Sequence, residues 1–316
     1  MLLKLLARAA LIAWPIIAGL LAPSAWARDC LPEFKLPAAG QIQAAARAAE
    51  DRGFLWSIER DGRTSYLYGT LHVGKLAWLP GPRTRQALQA SQVLALELDL
   101  TDDTTLKDAS QSAKRSSSTA APPPLLARMQ RMAEDECLRW SDLEPLQPAL
   151  QVATLMLAAA RHDGLEVAYA SELVLGGMAR QSAMPVHALE TVTEQFNALA
   201  PPDAAGSARQ LERDLNDLQS GRALTVLRRL VEAWAQSDVA TLQSYEQWCG
   251  CTDTEDDRAL TRRLLDERNP RLAERIDALH TGGQRVFAAV GALHLIGDQG
   301  LPALLARHGY KVRALF

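Results

Sequence analysis

The sequence predicts an α/β fold, with a mixed, partly parallel central sheet flanked by helices and a mostly helical middle or cap region. Three observations predict it. Short apolar runs with strand character recur along the chain, separated by helical stretches. The chain closes as strand, helix, strand in RVFAAVG, GLPALLARHG and KVRAL. Between the third and fourth such runs the apolar residues recur only at three- and four-residue spacing, through residues 203–280.

Each element has its own signal. FLWSIERDGRTSYLYGT reads as a hairpin, two apolar and aromatic runs around the turn pair Asp61-Gly62. RTRQALQA, Arg83 to Ala90, reads as a helix, and VLALELDL, Val93 to Leu100, as a strand rich in Val and Leu. Composition then changes. Residues 101–124 are polar, Ser-rich and closed by three prolines, which predicts a loop. LLARMQRMAEDECL, LQPALQVATLMLAAARH and ELVLGGMARQ carry helical spacing, and Met184 to Glu190 reads as a short strand. The helical insertion or cap over 203–280 comprises several amphipathic segments. Its last is interrupted at Pro270 and stopped at Gly282-Gly283. Gly309 stops the helix before the final strand.

Composition narrows the functional classes. The formal net charge is -3 and no basic tract stands out, which excludes a broad nucleic-acid-binding footprint. Residues 1–27 read as a signal peptide: Lys4 and Arg8, an apolar run from Ala9 to Leu21, then the small-residue pattern Ala25-Trp26-Ala27. The run is short against the about 20 residues of a spanning helix. Residues 28–316 are therefore expected to be one exported domain, periplasmic or secreted, without stable membrane insertion. Export makes disulfides the expectation for the four cysteines, Cys30, Cys137, Cys249 and Cys251. Only Gly250 separates Cys249 from Cys251, so a bond between them is expected to strain the backbone. That leaves Cys30 and Cys137 each pairing with one of the two. C-G-C is also not the usual ligand spacing of a zinc site.

The strand ends carry the chemistry. The first ends in Gly69-Thr70-Leu71-His72, the second carries Glu97 and Asp99, the third ends in Leu189-Glu190, and the fourth in Gly291-Ala292-Leu293-His294. In open α/β sheets ligands sit beyond the carboxyl ends of the strands. Parallel neighbours would bring His72, Glu97, Glu190 and His294 together there. Glycine before each histidine would allow a sharp bend and the close approach of another backbone. Two imidazoles and a carboxylate suit a divalent transition metal, and a further carboxylate could act as general base on a water. Ordinary roles compete: a structural loop histidine, Glu97 bridging to an arginine because a carboxylate in an apolar strand needs a partner, Glu190 capping the next helix. Arg268-Asn269 is either a solvated pair or a means of holding a substrate carboxylate or a site glutamate. His162, His187, His280 and His308 lack a glycine partner and read as structural or exposed. HExxH and G-x-S-x-G are absent, which argues against a zincin and against a serine hydrolase of the α/β-hydrolase kind.

YLYGTLHVG, ALELDL, HALETVTEQ, DERN and VGALHLIGDQGLPALLARHGYKV, in that order from Phe54 to Val312, resemble the TraB/GumN family, which includes the animal TIKI proteins and PrgY. The exported form with few cysteines is similar to bacterial GumN-type members. The resemblance implies a role for Gly69 and His72, Gly291 and His294, and Glu97, and beside them for Glu190, Gln195, Arg268 and Asn269. TIKI members are metal-dependent proteases, and the wider superfamily resembles erythromycin esterases and haem-binding ChaN proteins, with an α/β core. One segment departs: family members often show Gly-hydrophobic-Asp where this chain reads GLEVAYASE, with Glu166 and Glu172 the nearest carboxylates. The expectation is an exported metal-dependent hydrolase, a peptidase, acting on a peptide or small molecule. His72, Glu97 and His294 would hold Mn, Co or Zn. Glu190 and Arg268 would complete the catalytic set, supported by Gly69, Gly291, Asn269, Asp99 and Gln195. Two alternatives stand: a non-catalytic protein that binds haem or sequesters a peptide, and an esterase-type hydrolase using histidine without metal.

Overall fold

The computed structural model describes residues 30–114, 121–199 and 203–316. The predicted signal peptide, 1–27, lies outside them. The hairpin forms as β1 (Leu55–Arg60) and β2 (Arg63–Thr70), registered from Leu55 opposite Tyr68 to Arg60 opposite Arg63. Asp61 and Gly62 take φ of 52° and 70°, so both turn residues are left-handed, the twist that suits a two-residue hairpin. β3 (Val93–Leu96), β4 (Val186–Ala188), β5 (Val286–Gly291) and β6 (Lys311–Ala314) complete a six-stranded sheet in the order β4-β3-β5-β2-β1-β6.

The four strands β4, β3, β5 and β2 run parallel, and β1 and β6 add an antiparallel flank. β5 lies at the centre of the parallel set. Val286 to Val290 are each at most 1% exposed, the continuous apolar run that a strand covered on both faces requires. The pairing of Thr70 with Gly291 sets the ends of β2 and β5 side by side. That register delivers both Gly-x-x-His segments to one edge of the sheet.

Three expectations change. β3 stops at Leu96 rather than running to Leu100, so Glu97 sits in the bend just past the strand end. Within the stretch expected to be a loop, Asp103–Ser112 is a helix. Asp102 caps it by accepting the Thr105 N–H at 2.8 Å, and Asp103 in the first turn complements the helix dipole. The polar composition marks a solvated helix there, and residues 115–120 lie outside the described set. The cysteine pairing also differs. Cys30 bonds Cys137, and Cys249 bonds Cys251 across Gly250. Gly250 takes φ of +67°, a left-handed turn that folds the chain back and leaves the two Cα atoms 5.1 Å apart.

A small cluster of Leu98, Ala109 and Val192 and two large cores are present among the described residues. The larger gathers Ile58, Leu67, Leu94, Leu175, Trp234, Ile276 and Phe287 around the sheet. The smaller is helical, with Met129, Leu143, Leu155 and Leu215 fully buried among the segments 123–160 and 204–219. The helical stretch 203–280 therefore divides. Ala204–Gln219 joins the helical core, whereas Arg222–Ala235 and Asn269–Thr281 pack on the sheet through Val231, Trp234, Leu272 and Ile276. Among the described residues no helix is long and apolar enough to cross a membrane.

Candidate active site

The glycines of the two loops act by absence of bulk rather than by backbone freedom. Neither Gly69 nor Gly291 has a positive φ. A Cβ on Gly69 would stand 2.9 Å from Leu295 Cδ1 and 3.2 Å from Ala292 Cα, so the first loop touches the second at this point. A Cβ on Gly291 would stand 3.3 Å from Glu97 Oε1. The sharp-bend role expected of them is absent and the close-approach role is present. Trp234, from the Arg222–Ala235 helix, adds an anchor by donating its indole N–H to the Gly69 carbonyl at 2.7 Å in the buried interior.

Glu97 is the hub of the site. Its Oε1 accepts the Gly291 N–H at 2.6 Å, and its Oε2 accepts from Arg268 Nη2 at 2.6 Å and from Gln195 Nε2 at 3.0 Å. Arg268 is 5% exposed and is aimed by the π-helical turn Arg262–Asp266, whose Leu264 carbonyl accepts from Nη1 at 2.9 Å. Its other edge donates to both oxygens of Glu190, Nε to Oε1 at 2.9 Å. A guanidinium between two carboxylates satisfies charges that would otherwise be costly to bury. Glu190 does not cap the next helix. Thr191 and Glu194 form that capping box. Burial pushes the Glu97 carboxyl up, but the His294, Arg268 and His72 charges and the Gly291 N–H outweigh it and hold its pKa at about 2.

The two histidines differ in exposure, and each has its Nδ1 bonded to a different side-chain oxygen. His294 is 4% exposed, and its Nδ1 lies 2.6 Å from Asn269 Oδ1. Asn269 Nδ2 donates to the Gln299 carbonyl at 2.8 Å, which fixes the amide orientation. Oδ1 therefore faces the ring, Nδ1 must carry the proton, and the lone pair is on Nε2, 3.8 Å from Glu97 Oε1. Burial lowers the His294 pKa to about 4 against the attraction of Glu97, so the ring is neutral at pH 7. His72 has 73% of its side chain exposed, and its Nδ1 bonds Glu172 Oε1 at 2.6 Å. The Glu172 carboxylate raises its pKa above the ordinary imidazole value.

His72, Glu97, Glu190, Arg268, Asn269, Gln195 and His294 thus gather where β2, β5, β3 and β4 end. Asp99 does not join them: its carboxylate folds onto the Thr101 backbone N–H at 2.9 Å, a local turn. Among the described residues no group of three or more His, Cys, Asp or Glu side chains forms a metal site. Glu97 has both oxygens occupied by N–H donors. Part of the arrangement does suit a metal: each histidine has Nδ1 held by an oxygen and leaves Nε2 as the ligating nitrogen. Beside Glu190 opens a cavity of about 400 Å³, lined by Leu98, Thr105, Asp108, Ala188, Thr191 and Thr193 among others. The sequence marked Glu172 only as a nearby carboxylate. Its bond to His72 spans 100 positions, and no local pattern signals it.

Comparison with known proteins agrees with the family resemblance of the sequence. The model of the TraB/PrgY/gumN family matches residues 54–314. The chain is 27% identical over 314 residues to a Danio rerio protein named Metalloprotease TIKI1, covering 82% of this chain and 62% of that protein. It is 24% identical to Metalloprotease TIKI1 of Homo sapiens, covering 87% of this chain and 64% of that protein. It is 27% identical over 251 residues to the protein YbaP of Shigella flexneri, described as uncharacterized, covering 77% of this chain and 88% of that protein. The chain therefore spans less than two thirds of the TIKI1 relatives and most of YbaP. No solved structure matches.

Proposed function

The chain belongs to the TraB/PrgY/gumN family, and from that premise we propose that it is an exported metal-dependent hydrolase that cleaves peptides. The observation that carries this reading is the contact of the two Gly-x-x-His loops at Gly69, with Glu97 bonded to the second loop and the free Nε2 of His294 facing it. The metalloprotease names of the TIKI relatives support the reaction class. His72 and His294 through Nε2, with Glu97, would hold a divalent cation, with Mn, Co and Zn all suited to such ligands. When bound, such an ion polarises a carbonyl and lowers the pKa of a coordinated water.

The residues of the chain divide the remaining work. Arg268 keeps Glu97 ionised and Glu190 fixed, so the carboxylate that meets the substrate region is held in one orientation. Gln195 adds a second donor to the same oxygen. Asn269 keeps His294 in the tautomer whose lone pair points toward Glu97. The cavity beside Glu190, about 400 Å³ and rich in hydroxyl groups, is of a size to take a small ligand or a short piece of a peptide.

A second reading has its own observation. Neutral, buried His294 next to a carboxylate whose oxygens are both occupied suits a general base acting without metal, as in an esterase-type hydrolase. Peptide-library cleavage, with and without added Mn or Co and after treatment with a chelator, separates the two. The proposal expects cleavage that the chelator abolishes, the metal restores, and His72→Ala, His294→Ala and Glu97→Ala each reduce by about 100-fold or more. Cleavage indifferent to the chelator supports the metal-free reading. No hydrolysis, with a Soret band on haem titration, would instead support a binding protein.

A further inference from the structure

The chain of contacts that fixes His294 has a counterpart at His72. The segment Leu71 to Gly74 is fastened to residues 166–171 through the backbone. Ser171 N–H donates to the Leu71 carbonyl at 2.9 Å, and Leu71 N–H donates to Ser171 Oγ at 3.0 Å. Gly74 and Glu166 exchange N–H donors at 3.0 and 2.8 Å. Only glycine is tolerated at position 74, where a Cβ would stand 2.3 Å from the Tyr169 carbonyl oxygen. The backbone around His72 is therefore locked, and the rotation of its ring is decided by what Nδ1 meets. It meets Glu172 Oε1 at 2.6 Å, from the first turn of the Ser171–Gln181 helix.

We propose that Glu172 is the positioning residue of His72, doing for the first Gly-x-x-His loop what Asn269 does for the second, each through an oxygen 2.6 Å from Nδ1. A carboxylate can only accept, so Nδ1 carries the proton and Nε2 is left as the ligating nitrogen. Both oxygens come from the first turn of a helix that begins beside the loop it serves, at Ser171–Gln181 and Asn269–Thr281.

A purely stabilising role does not account for the arrangement. An ion pair whose histidine is 73% exposed contributes little to folding. Glu172 is itself only 18% exposed, and its Oε2 is buried and accepts no hydrogen bond from the described residues. A buried carboxylate with one oxygen on His72 and the other without a donor among the described residues is better placed to orient the ring than to stabilise the fold.

The metal arm of the test rests on the hydrolase reading; the second arm does not. The mature protein and its Glu172→Ala and Glu172→Gln variants are titrated with Co²⁺ alone, read by its visible absorption. The expected result is binding weakened about 10- to 100-fold in Glu172→Ala, the usual effect of removing such a partner. Glu172→Gln, whose amide oxygen accepts the same bond, stays within a few-fold of the parent by that mechanism. Glu172→Ala binding as tightly as the parent overturns the proposal. If the parent binds no Co²⁺, the metal reading fails and the proposal is decided by two-bond proton–nitrogen spectra of the His72 ring in alkaline buffer, where the ring is neutral. Nδ1–H in the parent and Nε2–H in Glu172→Ala sustain it. The same tautomer in both overturns it, and unchanged circular dichroism of the variants shows that the fold is intact.

Discussion

His294 and Glu97 occupy one buried environment, and each takes up its proton at lower pH in the folded protein than in the unfolded chain. The sign follows from each group. The His294 pKa falls from 6.5 to about 4 on folding, so the unfolded chain binds its proton first and stability drops as pH falls through that window. The Glu97 pKa falls from 4.5 to about 2, so its contribution is present above 4.5 and is lost as pH falls toward 2. Urea unfolding followed from pH 7 to 4 is expected to show a stability loss of a few kcal/mol in the parent that His294→Gln lacks. An equal slope in the variant would show that other groups cause it. His294 was legible in the sequence because it follows a strand-like run, and Glu97 because a carboxylate within an apolar run demanded a partner. Asp99 obeyed the same rule and was drawn instead into a two-residue turn with Thr101.

At the scale of elements, the first loop depends on a helix far from it in sequence. Trp234 is 2% exposed, packs edge-on to Tyr68 and against Trp78, and bonds the Gly69 carbonyl. Gly53 opposite it takes φ of +76° and would place a Cβ 2.7 Å from the indole. Trp234→Ala is expected to destabilise the protein by about 3–5 kcal/mol through the cavity it leaves. Trp234→Phe keeps most of the packing and loses only the hydrogen bond, a cost of about 1–3 kcal/mol for the carbonyl left unsatisfied. Chemical denaturation of both measures the difference. The helix around Trp234 was legible from periodicity, but its contact was not, because apolar spacing identifies a buried face without identifying what covers it. The Asp103–Ser112 helix was missed for the converse reason. Its residues are polar on most sides, so it carries cap chemistry and little hydrophobic pattern.

At the scale of the whole molecule, the parallel set β4-β3-β5-β2 turns four separated strand ends into neighbours. A partly parallel sheet was expected from the alternation of strands and helices; the antiparallel flank of β1 and β6 follows from a hairpin and a final strand whose partner no sequence pattern names. The disulfides show the same limit, since the local Cys249–Cys251 bond needed the left-handed turn at Gly250 and not only the spacing. Alkylation without reductant is expected to label none of the four cysteines. Peptide mapping of the non-reduced digest should assign Cys30 with Cys137 and Cys249 with Cys251. The proposed function requires the two Gly-x-x-His loops to be halves of a single site. The direct test is kcat/KM for peptide cleavage in His72→Ala, His294→Ala and the double variant. One site predicts that the double variant loses no more than about the worse single variant, because residues acting as a unit are strongly non-additive. Losses that multiply, or a single variant that keeps the parent rate, would contradict it.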